Sequence, residues 1–201
     1  MAARVDLVAL HPEEYAASRA PRVIPTAPAR YLSLDGAGDV GGAAFLAQAG
    51  LLSALLRDLR ARVRRDTGKD FRIPPLEALL GAPRAPRVGF DAGEPVPWKL
   101  LHRLPAFVRA SDLAALHGEA DAPPDGQLPA RIEELREGRC IQALHAGPPV
   151  EVRDTVDRLR RAAADLDLVV RGRVHGVWLS DPARSAPDRH RTLVRLPVKP
   201  R

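Results

Sequence analysis

The side chains able to do chemistry are few and scattered. Six histidines stand at positions 11, 102, 117, 145, 175 and 190. They form no HExxH motif and no pair at helical ligand spacing, so no metal site is predicted. Cys140 is the sole cysteine. It can form no intrachain disulfide, and with no cationic neighbour evident it reads as a small buried apolar side chain rather than a thiolate. No serine sits in a GxSxG elbow. Three candidates for proton transfer remain. Glu77 interrupts the apolar run of Leu76, Ala78, Leu79 and Leu80, where a carboxylate must face solvent, find a partner or, if buried, bind a cation or act as a base. His102 and His145 each fall near the end of a predicted strand, close to an expected cleft. An ordinary structural role competes for all three.

Gly36-Ala37-Gly38-Asp39-Val40-Gly41 matches GxGxxG between a predicted strand and a predicted helix. Asp35 and Asp39 place negative charge where a pyrophosphate would sit, and the next strand is too distant to supply a ribose-binding acid about 20 residues on. The glycines are read as serving backbone geometry, and no cofactor is predicted.

These residues need elements to position them. The 201 residues, 45% of them hydrophobic, suffice for one domain or two small fused modules. Residues 1–29 end in Pro21, Pro25 and Pro28 and read as an extended lead-in after at most a short helix, with ordered structure beginning at Ala29. Arg30 to Asp35 alternates as a strand. Phe45, Leu52, Leu55, Leu56, Leu59 and Val63 then recur at helical spacing, with arginines on the other side. PLEALLG (75–81) is a second strand, and the run from Trp98 a third after a Pro- and Gly-rich loop. SDLAALHG (111–118) is a short helix, and 120–129 a linker. The second half, 130–201, repeats the order. CIQALH (140–145) is a strand, Val152, Val156, Leu159, Ala163 and Leu166 mark a helix, and VHGVWL and RTLVRLPV are strands. The reading is therefore α+β: two tandem β-α-β-β modules, 30–119 and 130–201, related by a pseudo-twofold axis with a ligand cleft between them.

Charge narrows the partners. Basic residues outnumber acidic ones 31 to 25, but 28 of the 31 are arginines spread among acids and along helix faces. With 4% aromatic content offering few stacking platforms, nucleic acid is not an expected partner. The acidic, proline-containing start is unlike a signal peptide and no later run reaches membrane-spanning length, so a cytoplasmic location without membrane contact is expected.

Taken together, YLSLDGAGD (31–39), PLEALL (75–80), WKLLHRLPAFV (98–108), EGRCIQALHAGPP (137–149) and HGVWLSDPARSAPDRHRTLVRLPV (175–198) resemble the stand-alone GyrI-like small-molecule-binding domains. The resemblance runs from about residue 6 onward, with LSDP its most specific piece. It implies tandem SHS2 modules around a ligand cleft. It also implies a role in sensing, in binding lipophilic or cationic compounds, or, in one branch, in hydrolysis of cyclopropane-bearing toxins. An interaction with DNA gyrase is allowed by the family name but supported by no residue.

The departures from the family pattern bear on chemistry. Where relatives have an acid and then a tyrosine, this chain has Gly176 and Trp178. Paired tryptophans are replaced by Leu80 and Gly81, and a tyrosine by Pro149. The expected ligand site is a fairly apolar cleft lined by Leu80, Trp98, His102, Pro149, Gly176 and Trp178, serving sequestration, sensing or self-resistance. The alternative is a hydrolase of strained or ester-like molecules in which Glu77, His102 or His145 replaces the missing acid.

Overall fold

Alternation along the strands explains the architecture, because side chains at i and i+2 share a sheet face. The computed structural model describes residues 4–81, 95–119, 130–181 and 184–201. Its named strands pair antiparallel into a nine-stranded sheet. The first half contributes β2 (Ala29–Gly38), β3 (Leu76–Leu80) and β4 (Val96–Leu104), and the second contributes β6 (Arg139–Ala146), β8 (Val174–Trp178) and β9 (Arg191–Pro200). The halves meet at the middle of the sheet where β3 pairs with β8, with Ala78 opposite Gly176, and again near its edges where β6 takes up a strand from the N-terminal segment and β2 one from the start of the second half. The long helix α3 (Ala43–Thr67) and the shorter α5 (Val152–Asp165) pack on one face of this sheet. The fold is thus mixed α+β, as expected.

The helix-facing positions carry the main core. Leu32, Leu34, Ala78, Leu80, Trp98 and Leu100 from the first half meet Val194 and Leu196 from the second. Phe45, Leu52, Leu56, Leu59 and Val63 descend onto them from α3. Helix α3 stops where Gly68 takes a left-handed conformation, φ 69°, and donates its N–H to the Arg64 carbonyl. Arg60 grips Asp70 through two hydrogen bonds of 2.7 and 2.9 Å, fixing the chain as it leaves the helix.

Several expectations are corrected. From residue 4 on, the stretch before Ala29 is not an extended lead-in. Helices α1 (Leu7–Leu10) and α2 (Pro12–Tyr15) lie across the sheet, strand β1 (Arg22–Pro25) extends its edge by pairing with β6, and Glu14 and Tyr15 are buried. The prolines permit this because Pro12 opens α2 and Pro25 closes an edge strand, positions where a missing N–H costs little. Strands β5 (Arg131–Leu135) and β7 (Leu168–Val170) were also not anticipated. Leu166 lies beyond the end of α5 and is exposed rather than on its apolar stripe. The expected helix at 111–118 forms within α4 (Ala110–Glu119). The proline- and glycine-rich stretch 82–94 and the linker 120–129 lie outside the described residues.

The glycine-rich run has a packing explanation. Gly36 is opposite Trp98 on β2, and a Cβ placed there would lie 2.1 Å from the Trp98 ring. The indole needs that space. Gly38 and Gly41 have φ of 139° and 83°, conformations side-chain-bearing residues rarely adopt. With the named strands all paired antiparallel, these glycines do not belong to a nucleotide-binding parallel sheet.

Candidate functional site

A cavity of about 570 Å³ opens on the helix-facing side, between α3 and the chain leaving β8. Small-molecule sites typically enclose roughly 300–1,000 Å³. One face of α3 forms its floor through Leu46, Ala49, Gly50, Ser53 and Arg57, which recur every three or four residues. Ile73 to Leu76, on the approach to β3, form a second wall. Trp178 to Asp181 and Arg184 complete it from the other half of the chain. Gly50 leaves a gap in the floor, since nothing lies within 4 Å of where its Cβ would be.

His102 reaches the cavity from β4, and its Nε2 lies 3.0 Å from the Ser53 hydroxyl. Burial, aided by the charge of Arg57, lowers the His102 pKa to about 4 against the opposing pull of Glu77 and the Pro74 and Pro75 carbonyls. The imidazole is therefore neutral at pH 7. In that contact either Nε2 accepts the Ser53 hydroxyl proton or its N–H donates to the hydroxyl oxygen, according to which ring nitrogen carries the proton. Nδ1 is buried and makes no complete hydrogen bond. Behind the cavity, the Phe45 ring meets Trp98 edge-on at 5.3 Å and Trp178 at 5.5 Å. This aromatic wall is rigid, apolar and shared by both halves of the chain.

The sequence-derived site residues divide between this cavity and other parts of the fold. His102 and Trp178 line it. Leu80, Trp98 and Gly176 lie in the core on the same side of the sheet, and a Cβ on Gly176 would come within 3.2 Å of the Trp178 ring. Pro149 begins the turn before α5 and approaches Gly41. His145 has both ring nitrogens occupied, one by Thr155 at 3.0 Å and the other by the Pro148 carbonyl at 3.1 Å, so it ties β6 to α5. Sequence reasoning missed Ser53, Arg57, Asp181 and Arg184. The readable signal was Gly50 and Ser53 at the border of the α3 apolar stripe, where small residues make room.

Glu77 belongs to a different construction, on the opposite face of the sheet. Its carboxylate accepts hydrogen bonds from the Tyr15 hydroxyl at 2.8 Å and His175 Nε2 at 2.9 Å. The other imidazole nitrogen donates to Glu137 at 2.8 Å. Burial would lower the His175 pKa, but the charges and hydrogen bonds of Glu137 and Glu77 outweigh it and raise it to about 9. His175 is thus an imidazolium between two carboxylates. Arg195 adds a second cation, bonding Gln142 and the Glu14 carbonyl, while Arg103 pairs with the Glu14 carboxylate at 2.9 Å. Cys140, buried beside this network, has its pKa pushed up to about 12 by burial and is no nucleophile. The network docks the N-terminal segment onto the sheet.

Among the described residues no group of His, Cys, Asp and Glu is arranged to hold a metal ion, and no helix is long and apolar enough to cross a membrane. No protein-family model matches the chain, and no curated protein matches it. Solved structures do. An uncharacterized conserved protein from Listeria innocua is 24% identical with a TM-score of 0.82, the match covering 98% of this chain and all of that one. A hydrolase from Listeria innocua is 25% identical at a TM-score of 0.77, with the same coverage. EcmrR, in its complex with DNA, is 9% identical at a TM-score of 0.57, covering 96% of this chain and 62% of that one. These likenesses are consistent with a GyrI-like fold.

Proposed function

We propose that the protein binds a small, largely apolar molecule in the cavity between α3 and the end of β8, as a divergent member of the GyrI-like group. The carrying observation is the cavity itself: about 570 Å³, bounded by Trp178 and its aromatic backing, with Ser53 and His102 among the polar groups able to orient a ligand. In this reading the two halves are tandem modules that each supply one side of the site. The test uses the chain's two tryptophans, whose indole N–H signals are separable by NMR. Small aromatic fragments are expected to shift the Trp178 signal in the wild type, and absence of any shift at millimolar concentration would refute the reading.

A second reading rests on the 3.0 Å contact between Ser53 and His102. A neutral imidazole accepting a serine proton beside a cavity is the minimum needed for acyl transfer, in which Ser53 attacks an ester carbonyl and His102 passes the proton to the departing alcohol. The described residues provide no carboxylate behind His102, and its low pKa makes it a weak base. Binding is therefore preferred. Turnover of 4-nitrophenyl acetate that falls about 10²-fold or more in both Ser53→Ala and His102→Ala would favour the enzyme.

A further inference from the structure

We propose that the cavity selects organic anions, namely small molecules with an apolar body and one carboxylate or comparable oxyanion, with Arg57 as the anion's partner. The inference rests on the binding reading above and adds the class of ligand. Three charged side chains of the described residues line the cavity: Arg57, Asp181 and Arg184. Asp181 lies 3.5 Å from Arg184, so that pair is internally balanced. Arg57 makes no hydrogen bond or ion pair with a described residue, which leaves a net positive charge at the rim. It stands one helical turn beyond Ser53 on the same stripe of α3, so an oxyanion it holds lies near the Ser53 hydroxyl, which donates to the anion when the His102 Nε2–H is the donor in the Ser53–His102 bond.

The surroundings favour the same sign. Glu77, the nearest buried carboxylate, is on the far face of the sheet, bonded to Tyr15 and His175. Gly176 and Ala78, on the cavity's side where the halves meet, carry no charge. Leu46, Ile73, Leu76 and Trp178 supply apolar wall for the rest of the ligand. A guanidinium is suited to this task because its planar fork can donate two parallel hydrogen bonds to a carboxylate.

The experiment compares three probes of one shape: naphthalene-2-carboxylate, naphthalene-2-carboxamide and 2-naphthylmethylammonium, titrated against the full chain with the Trp178 indole N–H as readout. The carboxylate is expected to bind about tenfold more tightly than the carboxamide, the worth of one charge-assisted hydrogen bond. That preference should vanish in Arg57→Gln and partly survive in Arg57→Lys. Unchanged carboxamide affinity in Arg57→Gln would verify an intact cavity. Equal affinity for all three probes, or tightest binding of the ammonium, would overturn the anion inference while leaving the binding reading in place. No shift with any probe at millimolar concentration would overturn both.

Discussion

The N-terminally covered face of the sheet and the cavity beside α3 bury polar groups in opposite ways. On the face covered by the N-terminal segment, both nitrogens of His175, both oxygens of Glu77 and the guanidinium of Arg195 are occupied by protein partners. On the helix-facing side, His102 has one partner in Ser53 and a buried Nδ1 without a complete hydrogen bond, while Trp98 Nε1 and Gln48 Oε1 are buried with no partner among the described residues. Burial of an ionisable group is thus not itself a mark of function. A saturated group is committed to holding the fold, whereas an unsaturated one beside a cavity remains available to a ligand.

The sharpest way to break this comparison is to remove His175. His175→Ala leaves Glu77 and Glu137 buried with their shared cation gone, and the loss is expected to be about 3–5 kcal/mol of unfolding free energy in urea denaturation. A loss below about 1 kcal/mol would mean that the network does not anchor the fold. Gly36→Ala comes next, since its methyl group must displace the Trp98 ring. A destabilisation of about 1–3 kcal/mol is expected, with a shifted Trp98 indole signal. Wild-type stability and an unmoved Trp98 signal would contradict the packing role given to Gly36.

A subtler effect separates the faces by pH. The folded pKa of His175, about 9, lies above the ordinary histidine value, so its contribution is full below about pH 6.5 and fades as pH rises through 9. His102 has the opposite sign. Its folded pKa of about 4 lies below the ordinary value, so stability present above about pH 6.5 is lost as pH falls through 4. Urea midpoints measured across pH should show the acid-side loss shrinking in His102→Gln and the alkaline-side loss shrinking in His175→Gln. Superimposable profiles for the three proteins would reject both assignments.

The difference between the faces also explains what was legible in the sequence. The α3 stripe of Phe45, Leu52, Leu56, Leu59 and Val63, and the strands carrying Leu34, Leu100 and Leu196, could be read because apolar periodicity reports burial against a single core. The same rule misled at the other face. Arg103, His175, Arg195 and Gln142 alternate with apolar neighbours and so look like a solvated surface, yet they are buried. Their cover is the N-terminal segment, whose own signal is suppressed by Pro12, Pro21, Pro25 and Pro28. His102 and Trp178 could be placed on strands from the sequence, and both line this cavity, while Arg57 looks like one more arginine on a solvated helix face. Only the close approach of residues 73–76 and 178–181 to α3, set by tertiary packing, distinguishes it.

The most direct test of the central claim, that the cavity beneath α3 is the ligand site, uses Gly50→Leu. Open space surrounds the Cβ position, and replacing a mid-helix glycine should stabilise α3 by up to about 1 kcal/mol. The new side chain nevertheless enters the cavity floor. In titrations with naphthalene-2-carboxylate, the account predicts that Gly50→Leu is at least as stable as the wild type yet no longer shifts the Trp178 indole signal. A variant that is equally stable and binds the probe with undiminished affinity would place the ligand elsewhere and contradict the account.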